Sequence, residues 1–211
     1  MRTDFWDNQA VARDEQLAKS EMRISVPNIL TGARIVMIPV LAIVFYLPYD
    51  TRYLLSAAVF SLAAITDWLD GYLARKLGQV TPFGAFLDPV ADKLLVAVAL
   101  VLLVEEHASA VLAVPALVIV GREIVVSALR EWMAQYSERR SLAVSYVGKV
   151  KTTFQMTAII VLLAHPPDLR DPVVLLGYAL LFAAAALTLW SMYGYLKLAW
   201  PDLASGMERR R

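Results

Sequence analysis

The sequence predicts an all-α membrane protein, a bundle of six transmembrane helices. Of its 211 residues, 59% are hydrophobic, above the roughly 45–50% of soluble domains. The apolar residues collect in six stretches, each close to the about 20 residues that a helix needs to cross a bilayer. The absence of cysteine excludes disulfides and thiolate metal sites, and a net charge of +1 predicts no nucleic-acid partner.

The six stretches are separated by prolines, glycines or charged residues. Pro48 closes the first, Gly78 and Pro82 lie between the second and third, and Glu105 and Glu106 end the third. We expect the helices at residues 29–47, 53–74, 84–104, 110–133, 147–164 and 172–199.

The charges of the connections predict the orientation. Basic residues follow the second and fourth helices and the sixth, whereas the connection between the third and fourth is acidic. Connections rich in lysine and arginine stay in the cytoplasm. We therefore expect the connections after the second and fourth helices, and both termini, on the cytoplasmic side. Residues 1–22 form a polar tail or an interfacial helix, 23–200 the membrane domain, and 201–211 a basic tail.

Four aspartates, Asp67, Asp70, Asp88 and Asp92, interrupt this apolar chain. A charged side chain at the bilayer centre costs about 2.5–3.5 kcal/mol on insertion scales, so such residues are functional candidates. The first two are three residues apart and the last two are four apart, so each pair shares a helix face. A short turn makes the two helices antiparallel neighbours. We therefore expect a polar cavity in the cytoplasmic half of the membrane.

The residues around the aspartates indicate what this cavity binds. Oxygen-only ligands suit Mg²⁺ or Mn²⁺, and two such ions would offset the four carboxylates and leave positions open for a diphosphate. Gly71, Ala74 and Gly84 would let a flat ligand approach the backbone, although small residues are also common packing positions. Arg75 offers a planar fork for a phosphate or a nucleotide. Proton relay or structural hydrogen bonding is the alternative for a single membrane aspartate.

These residues form the pattern D-x2-D-G-x2-A-R-x8-G-x3-D-x3-D without a gap, which resembles the signature of the CDP-alcohol phosphatidyltransferase family. The resemblance implies a six-helix bundle of that type, usually a homodimer. It implies metal ligands at Asp67, Asp70 and Asp88, with Asp92 sharing the metal and acting as the general base. The implied CDP-diacylglycerol pocket consists of Asp67, Asp70, Gly71, Ala74, Arg75 and Gly84.

Further stretches resemble the branch of the family whose acceptor is sn-glycerol 3-phosphate. They include PNILTGARI, GREIVVSALREWMA and VGKVKTTFQM. The resemblance implies a Mg²⁺-dependent enzyme that transfers the phosphatidyl group of CDP-diacylglycerol to this acceptor, giving phosphatidylglycerophosphate and CMP in phosphatidylglycerol and cardiolipin biosynthesis. It also implies the bacterial cytoplasmic (inner) membrane, with the active site facing the cytoplasm.

A phosphorylated acceptor needs its own cationic clamp. A buried charge in an apolar helix needs a partner or a ligand, so Arg122 either binds the acceptor or pairs with Glu123 or an aspartate. Arg130 and Lys151 could also be interfacial cations. The candidates for the clamp are Arg122, Arg130, Lys149, Lys151 and Arg34.

Three other functions fit parts of the pattern. The nearest is the same chemistry with another acceptor, in phosphatidylserine, cardiolipin or inositol-phosphate synthesis. A membrane prenyltransferase also binds diphosphates through aspartates, usually on widely separated helices. A divalent-cation transporter would need polar residues towards the outer face, and the stretch LLVAVALVLLV after Lys93 has none.

Overall fold

The computed structural model describes residues 26–77, 82–136 and 146–208, and these form α-helices and no strand. This confirms the predicted all-α class and the order of six helices. The possible N-terminal tail at 1–22 and the end of the basic tail lie outside the described residues. The helices are α1 Val26–Phe45, α2 Arg52–Leu77, α3 Pro82–His107, α4 Ala110–Tyr136, α5 Tyr146–Leu163 and α6 Pro172–Glu208.

Helix ends differ most from the sequence prediction at α6, which continues to Glu208 instead of residue 199. Similarly, α2 continues to Leu77 and α3 already begins at Pro82. A run of apolar residues indicates the part of a helix that lies in the lipid bilayer. The backbone hydrogen bonds of the helix continue beyond it into polar sequence. At these ends the prediction found the apolar part of the helix and stopped short of its polar end, whereas it placed the end of α1 two residues beyond Phe45.

Two of the described helices are long and apolar enough to cross a membrane by length and composition. These segments are Ala110–Leu129 in α4 and Pro172–Lys197 in α6. Two shorter apolar segments are Ile29–Phe45 in α1 and Val150–Leu163 in α5. A spanning helix needs about 20 apolar residues, so the structure supports a membrane protein, and the six-span topology stays a prediction.

The chain divides into two compact units. The first contains the chain up to Val40 together with Val59–Leu95, and it holds the aspartate motif. Its core includes Phe60, Ala91 and Leu95, which are almost completely buried.

The second unit contains Leu41–Ala58 and Val96–Arg211. Within it, α6 packs along α5 and also contacts α4. A Cβ added at Gly177 of α6 would lie 2.8 Å from side-chain atoms of Leu162 on α5, so the glycine permits the close approach of these two helices.

The ends of three helices are joined in the second unit by Arg52. Its guanidinium donates to the two carboxylate oxygens of Glu106 at 2.6 and 3.2 Å. It also donates to the carbonyl of Phe45 at 3.0 Å. A bidentate arginine–carboxylate pair is a strong and directional contact. It therefore holds the end of α1, the start of α2 and the end of α3 together.

Candidate active site

The aspartate motif lies on two helices, as the spacing predicts. Asp67 and Asp70 are in α2, and Asp88 and Asp92 are in α3. Since both segments are helical, each pair shares one helix face. The backbone of α2 also carries three other motif residues. The side chains of Asp70, Gly71, Ala74 and Arg75 lie outside the described part of the structure.

Asp67 is held by a cation of the neighbouring helix α1. Arg34 Nη1 lies 2.8 Å from Asp67 Oδ1, and the arginine side chain is fully buried while that of Asp67 is 43% exposed. A guanidinium buried in an apolar surrounding needs such a counter-charge. The structure thus brings Arg34, a candidate for the acceptor clamp, to the aspartate motif. Its predicted part in acceptor binding stays a prediction.

Asp88 is held by the same helix. The hydroxyl of Thr31 donates a hydrogen bond to Asp88 Oδ1, and Thr31 is buried. Thr31 and Arg34 are three residues apart on α1, so they share a face. One face of α1 therefore contacts a carboxylate of α2 and a carboxylate of α3. The sequence alone does not single out Thr31, because a threonine in an apolar helix has no local sign of a distant partner.

Asp92 follows Asp88 by one turn of α3 and is half-buried. Gly84, one turn before Asp88, is buried. Carboxylate oxygens are the donor type that Mg²⁺ and Mn²⁺ prefer, so the residues fit such an ion. Among the side chains that the structure describes, which exclude that of Asp70, no three acidic or histidine residues form a metal-binding group. The metal therefore stays a prediction.

A second charged cluster lies in the other unit, on α4 and α5. Arg122 Nη1 and Lys151 Nζ each lie 2.7 Å from Glu123 Oε1. The Lys151 side chain is only 3% exposed. Glu123 thus brings two cationic side chains, one of α4 and one of α5, to a single oxygen atom. The pairing with Glu123 is one of the two roles predicted for Arg122.

Helix α6 adds polar groups to this cluster. The second terminal nitrogen of Arg122 donates to Ser191 Oγ at 3.1 Å, and its guanidinium lies 5.9 Å from the ring centroid of Tyr195. Three helices thus contribute to the cluster around Arg122 and Glu123. The side chains of Arg130 and Lys149, the other two candidates for the clamp, lie outside the described part of the structure.

The chain belongs to the CDP-alcohol phosphatidyltransferase family, whose family model matches residues 24–190. This match covers the six-helix region from α1 into α6 and confirms the resemblance drawn from the motif.

Curated relatives cover nearly the same part of the chain. A protein of Pseudomonas fluorescens is 57% identical over 85% of this chain and 92% of its own length. Proteins of Salmonella choleraesuis (strain SC-B67) and Sodalis glossinidius (strain morsitans) are 53% and 52% identical, each over 86% of this chain and 98% of their own length. All three are named CDP-diacylglycerol–glycerol-3-phosphate 3-phosphatidyltransferase.

Proposed function

We propose that this chain transfers the phosphatidyl group of CDP-diacylglycerol to sn-glycerol 3-phosphate. The products are phosphatidylglycerophosphate and CMP, and the reaction belongs to phosphatidylglycerol and cardiolipin biosynthesis. The observation that carries the proposal is the 52–57% identity to three proteins named for this activity, over 85–86% of the chain. The complete aspartate motif on α2 and α3 agrees with it.

The buried cluster of α4 and α5 supports a phosphorylated acceptor. Arg122 and Lys151 each lie 2.7 Å from the same oxygen of Glu123, so two cationic donors converge at one buried place. A phosphate dianion can accept from both cations, whereas a zwitterionic amino-acid acceptor such as serine brings an ammonium group that this cluster repels. We propose Arg122 and Lys151 as the acceptor clamp, with Arg130 and Lys149 as further members and Arg34 as a positioning residue for Asp67.

The four aspartates have two roles in the proposed reaction, proton transfer and metal binding. The acceptor hydroxyl attacks the β-phosphorus, a new O–P bond forms, the P–O bond to CMP breaks, and Asp92 takes the hydroxyl proton. Two divalent ions held by Asp67, Asp70, Asp88 and Asp92 would neutralise the diphosphate and the leaving group. Arg34 and Thr31 hold the carboxylates of Asp67 and Asp88 in position.

The small residues of the motif complete the proposed substrate site. Gly71, Ala74 and Gly84 admit the cytidine next to the backbone. Arg75 donates to the phosphate or the nucleotide. The family resemblance at these positions supports both roles.

Six membrane spans with both termini in the cytoplasm are part of the same proposal, in the bacterial inner membrane and with the active site facing the cytoplasm. The outward face of α4 supports it, because Val111, Val114, Leu117 and Ile124 are 56–73% exposed. An exposed apolar face of this length needs an apolar surrounding. Family resemblance further supports a homodimer.

An acceptor panel tests the proposed activity. CMP release from CDP-diacylglycerol by the purified chain is measured with sn-glycerol 3-phosphate, serine, inositol phosphate or phosphatidylglycerol as the acceptor. We expect release with glycerol 3-phosphate to exceed that with every other acceptor. Equal or faster release with another acceptor would assign the chain to that branch of the family.

A further inference from the structure

Two buried polar side chains lie one helical turn from the cationic cluster. Gln155 of α5 is 5% exposed and Thr188 of α6 is 0% exposed. Gln155 Oε1 and Thr188 Oγ1 have no hydrogen-bond partner among the residues that the structure describes. The proposed chemistry does not use either side chain.

Helix geometry places both side chains on the faces that form the cluster. Gln155 follows Lys151 by four residues on α5, and Thr188 precedes Ser191 by three residues on α6. Residues three or four apart lie on one face, about one turn or 5.4 Å apart along the axis. Lys151 contacts Glu123, Ser191 contacts Arg122, and α5 packs along α6. The two orphan groups therefore lie beside the cluster on the same converging faces.

Buried polar atoms in folded proteins almost always have a partner, so an orphan pair indicates a bound molecule. The Gln155 oxygen accepts a hydrogen bond, and the Thr188 hydroxyl can donate one or accept one. A single alcohol group donates one hydrogen bond and accepts another. It can therefore satisfy both side chains at once.

We propose that Gln155 and Thr188 bind the secondary hydroxyl of the acceptor while Arg122 and Lys151 bind its phosphate. The inference rests on the proposed function. In sn-glycerol 3-phosphate this hydroxyl is on the carbon next to the phosphate-bearing carbon, within the reach of one helical turn. The primary hydroxyl at the other end stays available for attack. Gln155 and Thr188 thereby select a phosphorylated polyol with a hydroxyl at that carbon.

The test compares sn-glycerol 3-phosphate with 3-hydroxypropyl phosphate, which keeps the phosphate and the primary hydroxyl and lacks the secondary one. CMP release by the purified full chain with CDP-diacylglycerol and Mg²⁺ gives kcat/KM for each acceptor. We expect the wild type to prefer glycerol 3-phosphate by about 10- to 100-fold, as a site with buried partners for a hydroxyl does. In Gln155→Met and Thr188→Val, this preference should fall to about threefold or less.

The ratio of the two values is internal to each variant, so it does not depend on the folded fraction. Ser56→Ala is a matched control, because Ser56 is also buried with an orphan hydroxyl and belongs to α2, which carries none of the cluster residues. It should keep the wild-type ratio. If the ratio of the two kcat/KM values is unchanged in Gln155→Met and Thr188→Val, the inference is overturned. This is the result expected if a water molecule, and not the acceptor, binds the two side chains. A wild type that uses both acceptors equally also overturns the inference, whereas a wild type that uses neither acceptor overturns the proposed function itself.

Discussion

Arg34 of α1 and Asp67 of α2 form an ion pair whose partners differ sharply in exposure. The Nη1–Oδ1 distance is 2.8 Å, the arginine side chain is fully buried, and the aspartate side chain is 43% exposed. The cation thus anchors the carboxylate from inside the unit, while the carboxylate stays accessible from outside. A ligand can therefore reach Asp67 without displacing the helix that holds it.

Arg34→Met should destabilise the protein and reduce its activity. Breaking a fully buried pair costs about 3–5 kcal/mol, and water partly compensates the exposed Asp67, so we expect about 1–3 kcal/mol. The thermal unfolding midpoint in detergent measures the loss. Arg170→Met, at an exposed loop residue, is the matched control and should leave the midpoint within error. An Arg34→Met protein as stable as the wild type would show that the pair contributes nothing to folding.

Thr31→Val should lower kcat, because the hydroxyl of Thr31 positions a carboxylate of the proposed metal site. The substitution keeps the shape and removes the hydroxyl that donates to Asp88. A hydrogen bond to a charged group contributes about 1.5–3 kcal/mol, so we expect kcat to fall about tenfold or more. Thr31→Ser keeps the hydroxyl and should stay within about threefold of the wild type. A loss of kcat in Thr31→Ser together with an unchanged kcat in Thr31→Val would mean that the methyl group, and not the hydrogen bond, matters.

Lys151→Met should raise the KM for glycerol 3-phosphate and leave the KM for CDP-diacylglycerol unchanged. The variant removes one of the two cations on Glu123 Oε1, so one of the two proposed donors to the acceptor phosphate is lost. We expect an increase of about tenfold or more. Lys197→Met, at an exposed lysine of α6, should change neither KM. A parallel increase in both KM values for Lys151→Met would point to a general structural role.

His107, at the end of α3, should make the protein less stable in acid. Burial lowers the pKa of His107 below its usual value of 6.5. Its Nδ1 lies 2.9 Å from the hydroxyl of Tyr178 on α6. Because the folded pKa is depressed, the stability that the neutral ring contributes is present above the unfolded pKa and is lost as the pH falls through the folded one.

Thermal unfolding midpoints at about pH 7.5 and about pH 5 measure this loss. In His107→Gln, the difference between the two midpoints should be smaller than in the wild type. If the difference between the two midpoints is the same in His107→Gln and in the wild type, another residue is responsible for the acid sensitivity.

The sequence predicts those features of the structure that depend on residues close together in the chain. Helix order followed from apolar runs, because lipid burial requires them. The paired faces of Asp67 with Asp70 and of Asp88 with Asp92 followed from helical spacing alone. The partner of Arg122 was found because a charge in an apolar helix needs one, and Glu123 is adjacent.

What the sequence could not predict were contacts between distant positions. Thr31 and Asp88 are 57 residues apart. The sequence around each residue does not indicate that the other is its hydrogen-bond partner. Lys151 contacts Glu123 across 28 residues of sequence, so only the folded structure brings these two clamp candidates together. The orphan groups of Gln155 and Thr188 are likewise visible only once burial is known.

The most direct test of the central claim is CMP release by the purified chain from CDP-diacylglycerol, with and without sn-glycerol 3-phosphate and divalent metal. Asp92→Asn is compared with the wild type, because it keeps the size of the side chain and removes the proposed base. We predict release by the wild type only when acceptor and metal are both present, and a loss of about 100-fold or more in the variant. A fully active Asp92→Asn enzyme would contradict the role of Asp92, and no acceptor-dependent release by the wild type would contradict the proposed function.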